Sequence, residues 1–87
     1  MDFHWHTASP GVSPDDVKFA EAVCLRASAG RVLARRVTLW TGDTSILWQF
    51  PNGTTRVGPL KSNAQEALVA ACETLAAYLG WDIARPA

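Results

Sequence analysis

The chain has little of most residue types that announce a chemistry. It holds two cysteines, two lysines, one methionine and two histidines, and its formal net charge is zero. Each shortage excludes something. Cys24 and Cys72 alone build neither a disulfide framework nor a zinc quartet. Nucleophilic catalysis needs a Ser, Cys or Thr beside a base that a third group orients. Here the only histidines are His4 and His6, and both cysteines fall on apolar helix stripes. No nucleophile elbow, phosphate loop, paired-carboxylate site or Cys-x-x-Cys is present. The reading is therefore non-enzymatic, with no cofactor. Eight basic against eight acidic side chains disfavours nucleic acid, whose binders draw most of their affinity from neutralising phosphates. No apolar run approaches the ~20 residues of a bilayer span, and no charged segment followed by an apolar stretch opens the chain. The expectation is a cytoplasmic protein with no membrane contact.

What is present reads as one small globular domain: 87 residues, 48% hydrophobic and 18% charged. Residues 1–12 form an arm and linker, in which Phe3 and Trp5 alternate with Asp2, His4 and His6 before the Ser9-Pro10-Gly11 turn. The folded core spans 13–80 and residues 81–87 form a tail. Ser13-Pro14-Asp15-Asp16 starts a helix: a hydroxyl cap, proline at the first position, and carboxylates at the positive end of the dipole. Val17, Phe19, Ala20, Val23, Cys24 and Ala27 then line one side, and Gly30 offers a left-handed stop. Ser62-Asn63-Ala64-Gln65 reads as a capping box opening a second helix. That helix carries Ala64, Ala67, Leu68, Ala71, Cys72, Leu75, Tyr78 and Leu79 on one side. Gly80 ends it, and Trp81 folds back as a Schellman partner.

Between the helices lie three strands. Asn52-Gly53, read as a two-residue hairpin turn, sets Phe50 opposite Thr55 and Trp48 opposite Val57. Gly42-Asp43, read likewise, sets Leu39 opposite Ile46 and Val37 opposite Trp48. Alternation then puts Val37, Leu39, Ile46, Trp48, Phe50 and Val57 on one face. Arg35-Arg36, where the apolar phase changes, is an expected bulge, and Pro59 marks an edge. The fold class is α+β: a two-layer sandwich in the order α-β-β-β-α, a three-stranded antiparallel sheet with both helices on one face and an extended N-terminal arm.

Three clusters are candidates for function. The outer sheet face in this register carries Arg36, Thr38, Trp40, Leu47, Gln49 and Arg56, a tryptophan flanked by arginines, which is the composition of interaction hot spots. Coverage of the face by Phe3 and Trp5 is the competing reading. Arg35, Arg36, Arg56 and Lys61 are the cations available to a nucleic acid. Asp2, His4 and His6 are alternate residues on an extended segment and could ligate one ion. With no fourth donor nearby they are first an incidental cluster, so no metal is assigned. Cys24 and Cys72 read as small buried thiols, and a redox pair requires their helices to lie side by side.

The α-β-β-β-α order, with Lys61-Ser62-Asn63-Ala64-Gln65-Glu66-Ala67 opening an Ala-rich last helix, resembles the double-stranded-RNA-binding domain. That family carries a basic cluster at the start of this helix, where Lys61 matches and Gln65 and Glu66 stand in place of cations. Its first hairpin loop usually carries a histidine, and Thr41-Gly42-Asp43-Thr44 carries an acid instead. The hairpin followed by Ala64-Gln65-Glu66-Ala67-Leu68 and Tyr78-Leu79 is also similar to HicB-type antitoxins. The leading expectation is a non-enzymatic protein-binding module of the regulator, inhibitor or adaptor kind, such as phages and mobile elements encode. The alternative is a nucleic-acid-binding domain or antitoxin-like regulator. A homodimer through the Thr54–Leu60 edge is a further expectation.

Overall fold

A computed structural model describes residues 12–83. Helix α1 spans Pro14–Ala29, strands β1, β2 and β3 span Leu33–Thr38, Thr44–Gln49 and Thr55–Val57, and helix α2 spans Ala64–Leu79. The strands form one antiparallel sheet in the order β1-β2-β3. Helix α2 lies across β2, and α1 packs on α2. This is the α-β-β-β-α arrangement expected from the sequence; the expected N-terminal arm lies outside the described residues.

Both helices begin where the sequence supplies caps. Ser13 Oγ accepts from the Asp16 amide at 3.1 Å while the Asp16 carboxylate accepts from the Ser13 amide at 3.0 Å, a closed capping box with Pro14 inside it. For α2 the cap is Asn63 rather than Ser62. Its side-chain oxygen accepts from the amides of Gln65 and Glu66 at 2.8 and 3.2 Å. Asn is as good a cap as Ser, and one amide oxygen reaches both orphan donors. The helix ends also differ from each other. Gly80 is left-handed, and Trp81 and Gly80 donate to the carbonyls of Ala76 and Ala77, completing the expected Schellman motif. At the end of α1, however, Gly30 keeps φ −86° and Arg31 takes the positive φ of 60°. The left-handed residue there is one position later than expected, and it carries a Cβ.

The core lies between the helices and the inner face of β2. Ile46 and Trp48 are fully buried against Phe19, Val23, Leu68, Ala71, Cys72 and Leu75. Trp48 also donates its indole N–H to the Ala71 carbonyl at 3.1 Å, so the ring is buried with its polar atom satisfied. Gly58 shows why α2 can come so close. A Cβ there would lie 2.8 Å from Ala71 Cβ and 2.9 Å from Ala71 Cα. Beyond β3 the chain still pairs with β2. Gly58 N–H donates to the Ile46 carbonyl, and Thr44 and Lys61 exchange two backbone bonds at 2.7 and 2.8 Å. The expected edge at Thr54–Leu60 is therefore the three-residue β3 and its continuation through Gly58 and Pro59, where proline has no amide to donate to a further strand.

Strand register is where sequence and structure part. Arg36, not Leu39, lies opposite Ile46, and Arg56, not Val57, lies opposite Trp48. The pairing from Leu33 to Thr38 is continuous, so the expected bulge at Arg35-Arg36 is absent. The cause is loop length. Leu39 closes on Asp43 and Phe50 on Thr54, leaving three-residue loops, Trp40-Thr41-Gly42 and Pro51-Asn52-Gly53. In each, the glycine amide donates back to the residue before the loop and the glycine has positive φ (95° and 89°). That is a type I turn closed by a left-handed glycine, the usual three-residue hairpin. Glycine is the third loop residue in both, where a two-residue turn needs it first or second. The slips of three residues and one residue are both odd. Each therefore turns its strand over relative to β2.

Candidate partner-binding face

With the observed register, the helix-side phase holds Ala34, Arg36 and Thr38 on β1, Ile46 and Trp48 on β2, and Arg56 on β3. The opposite phase holds Leu33, Arg35 and Val37, then Ser45, Leu47 and Gln49, then Thr55 and Val57; Ser45 is buried and donates its hydroxyl to the Gly58 carbonyl at 2.6 Å. No described helix packs on that side. Leu33 is 63% exposed and Val57 58% exposed, and Val37 and Leu47 are half-buried between them. The outer face thus carries four apolar residues, Leu33, Val37, Leu47 and Val57, spread over all three strands, with Arg35, Ser45, Gln49 and Thr55 as its polar members.

The six residues expected to form a binding face separate. Leu47 and Gln49 lie on it. Trp40 does not sit in a strand at all: it is the first residue of the β1–β2 loop, 95% exposed, adjoining the face through Leu39. Thr38 is on the helix-side phase, with its hydroxyl 3.4 Å from that of Thr44, which in turn donates to the Val37 carbonyl at 3.0 Å. Arg36 shares that phase and is exposed at the sheet margin. Arg56 places its guanidinium 3.5 Å from the Tyr78 ring centroid on α2, and Tyr78 in turn meets Phe50 at 5.9 Å. Leu33, Val37 and Val57 are the members that the sequence reading omitted or turned inward. Pro51 was the available cue: its φ suits the first position of a type I turn, which makes Asn52-Gly53 the second and third loop residues.

The cations expected to serve a nucleic acid are likewise dispersed. Arg35 is on the outer face, Arg36 on the opposite phase, and Arg56 is stacked on α2. Lys61 borders a cleft that it shares with Asp16, Glu66 and Glu73. Among the described residues no three His, Cys, Asp or Glu side chains gather as a metal site would require. Asp2, His4 and His6 lie outside the described residues. None of the described helices is long and apolar enough to cross a membrane.

Comparison with protein-family models, with curated proteins and with solved structures yields no match to this chain.

Proposed function

We propose that the chain is a small non-enzymatic protein-binding module, a regulator, inhibitor or adaptor, that engages its partner through the outer face of the sheet. The observation that supports it is the apolar group Leu33, Val37, Leu47 and Val57, on which no described element packs, since apolar surface gathered in this way marks interaction sites. Two six-residue strands roughly 20 Å long and the three-residue β3 roughly 10 Å long, about 4.8 Å apart, give a footprint of about 240 Å². A stable interface takes about 800 Å² from each side. The sheet alone falls short, so the contact extends over the hairpin tip, and Trp40 becomes its anchor. The partner is a protein surface that is apolar at its centre, with a carboxylate placed to meet Arg35. Arg36, Thr38 and Arg56 play no direct part in this contact.

Leu33→Glu, Val57→Glu and Arg35→Glu on the outer face, with Trp40→Ala at the tip, test the proposal against Leu25→Glu. Leu25 is a still more exposed leucine on α1. Species captured from the native host's extract are quantified after nuclease treatment. The expected result is a protein lost with all four site variants and retained with Leu25→Glu. A species insensitive to those four, or released by nuclease, would overturn the proposal. In the second case the nucleic-acid reading would replace it.

A further inference from the structure

The two cysteines, far apart in sequence, face each other where the helices pack. Cys24 Sγ on α1 and Cys72 Sγ on α2 are 3.9 Å apart. Closing to the ~2.05 Å of an S–S bond moves each sulfur by only about 1 Å. The surroundings are unequal. Cys72 is fully buried, whereas Cys24 is partly exposed. Cys24 also lines a cleft of about 250 Å³ with Ser28, Leu33, Ala34, Arg35 and Gln49. We propose that Cys24 and Cys72 are a peroxide-reactive dithiol, in which Cys24 is the attacking sulfur and Cys72 the resolving one, and that their oxidation staples α1 to α2.

The chemistry proceeds in two balanced steps. The Cys24 thiolate attacks one oxygen of a hydroperoxide entering by the cleft. The O–O bond breaks, the distal oxygen leaves as an alcohol (water, from hydrogen peroxide) after taking a proton, and Cys24 becomes a sulfenic acid. Cys72 sulfur then attacks Cys24 sulfur. The S–O bond breaks, the oxygen leaves as water with the Cys72 proton, and the disulfide forms. Two thiols are oxidised and one peroxide is reduced, with no other reactant. The division of roles follows from access, because the cleft reaches Cys24 and Cys72 is sealed. Hydrogen bonding supports it. The contact with Cys72 holds the Cys24 thiol below its ordinary range, and the same contact together with burial pushes Cys72 up. Cys72 Sγ also lies 3.8 Å from the Ala20 carbonyl, a second acceptor for its proton.

The test uses the full chain, reduced and then treated with a small excess of hydrogen peroxide, with remaining thiols blocked by a maleimide. The expected product is a monomer lighter by two hydrogens that takes no maleimide, maps to a Cys24–Cys72 link and reverts with dithiothreitol. Its Tm should rise by about 5 °C or more over the reduced chain, as cross-linking distant positions predicts. In Cys72→Ala the reaction should stop at a Cys24 sulfenic acid that dimedone captures. In folded Cys24→Ala, Cys72 should stay reduced. Should Cys72→Ala fail to fold, the mass and map of the wild-type chain decide alone. Two unreacted thiols, a sulfinic acid at Cys24 without a link, a link between chains, or equal link formation in urea would each overturn the proposal.

Discussion

The two sides of β2 carry similar residues to opposite ends. Ile46 and Trp48 point toward α2 and are sealed, while Leu47, one residue away on the same strand, points to a side where no described element lies. On β1 and β3 the contrast is sharper, because the bulky aliphatics Leu33, Val37 and Val57 all take the outer side. Ala34, Arg36 and Arg56 take the covered one, and Arg35 goes with the aliphatics. A domain built only for stability would reverse that assignment, because burial of Leu or Val side chains contributes about 1.5–3 kcal/mol each. The comparison teaches that, among the described residues, the sheet is held from one side, and its aliphatics gather on the side where no described element packs.

Three substitutions sharpen or break that comparison. Trp48→Ala on the covered side has the largest expected effect. It removes an indole and the bond to Ala71, costing about 3–5 kcal/mol, close to the whole stability of a domain this size. Chemical denaturation should show loss of a cooperative transition or a much lower midpoint. Gly58→Ala comes next, because its Cβ meets the Ala71 backbone and α2 must shift, for about 1–3 kcal/mol. A midpoint unchanged in Gly58→Ala would mean that α2 does not press on the sheet there. The smallest effect is expected from Leu33→Ser with Val57→Thr on the outer side, within about 0.5 kcal/mol of wild type for each change. If that double variant instead unfolds as readily as Trp48→Ala, the outer face is covered in solution and is not a docking surface.

The helices were legible because their signals are local. Ser13-Pro14 and the Gly80-Trp81 ending act over four or five residues, and the structure repeats them nearly unchanged. Even the slip from Ser62 to Asn63 as cap left α2 in place with Ala67, Leu68, Ala71, Cys72 and Leu75 buried, although Tyr78 and Leu79 at its end are exposed and Val69 and Ala76 are buried instead. Strand facing was not legible in the same way, because it depends on counting. Placing the turn at Asn52-Gly53 instead of Pro51-Asn52-Gly53 shifts the pairing by one residue, and one residue carries Arg56 from the outer side to the Tyr78 ring. At the first hairpin the loop is Trp40-Thr41-Gly42 rather than Gly42-Asp43, and reading it at the later position, a slip of three residues, carried Val37 and Leu39 inward. Trp48 and Ile46 were placed correctly because β2 is common to both hairpins, and its own alternation does not depend on either turn. Trp40 was recognised as exposed, but as a strand residue. Its place at a loop tip follows from the same third-position glycine.

Leu33, Arg35 and Gln49 belong both to the outer side of the sheet and to the rim of the cleft leading to Cys24. One patch of surface thus borders two routes into the molecule. Whatever seats itself on those three residues also stands in the doorway to the thiol, shielding it from small oxidants. A chain with its sheet unoccupied leaves that doorway open, so the sulfur chemistry and the docking state of this domain would report on each other.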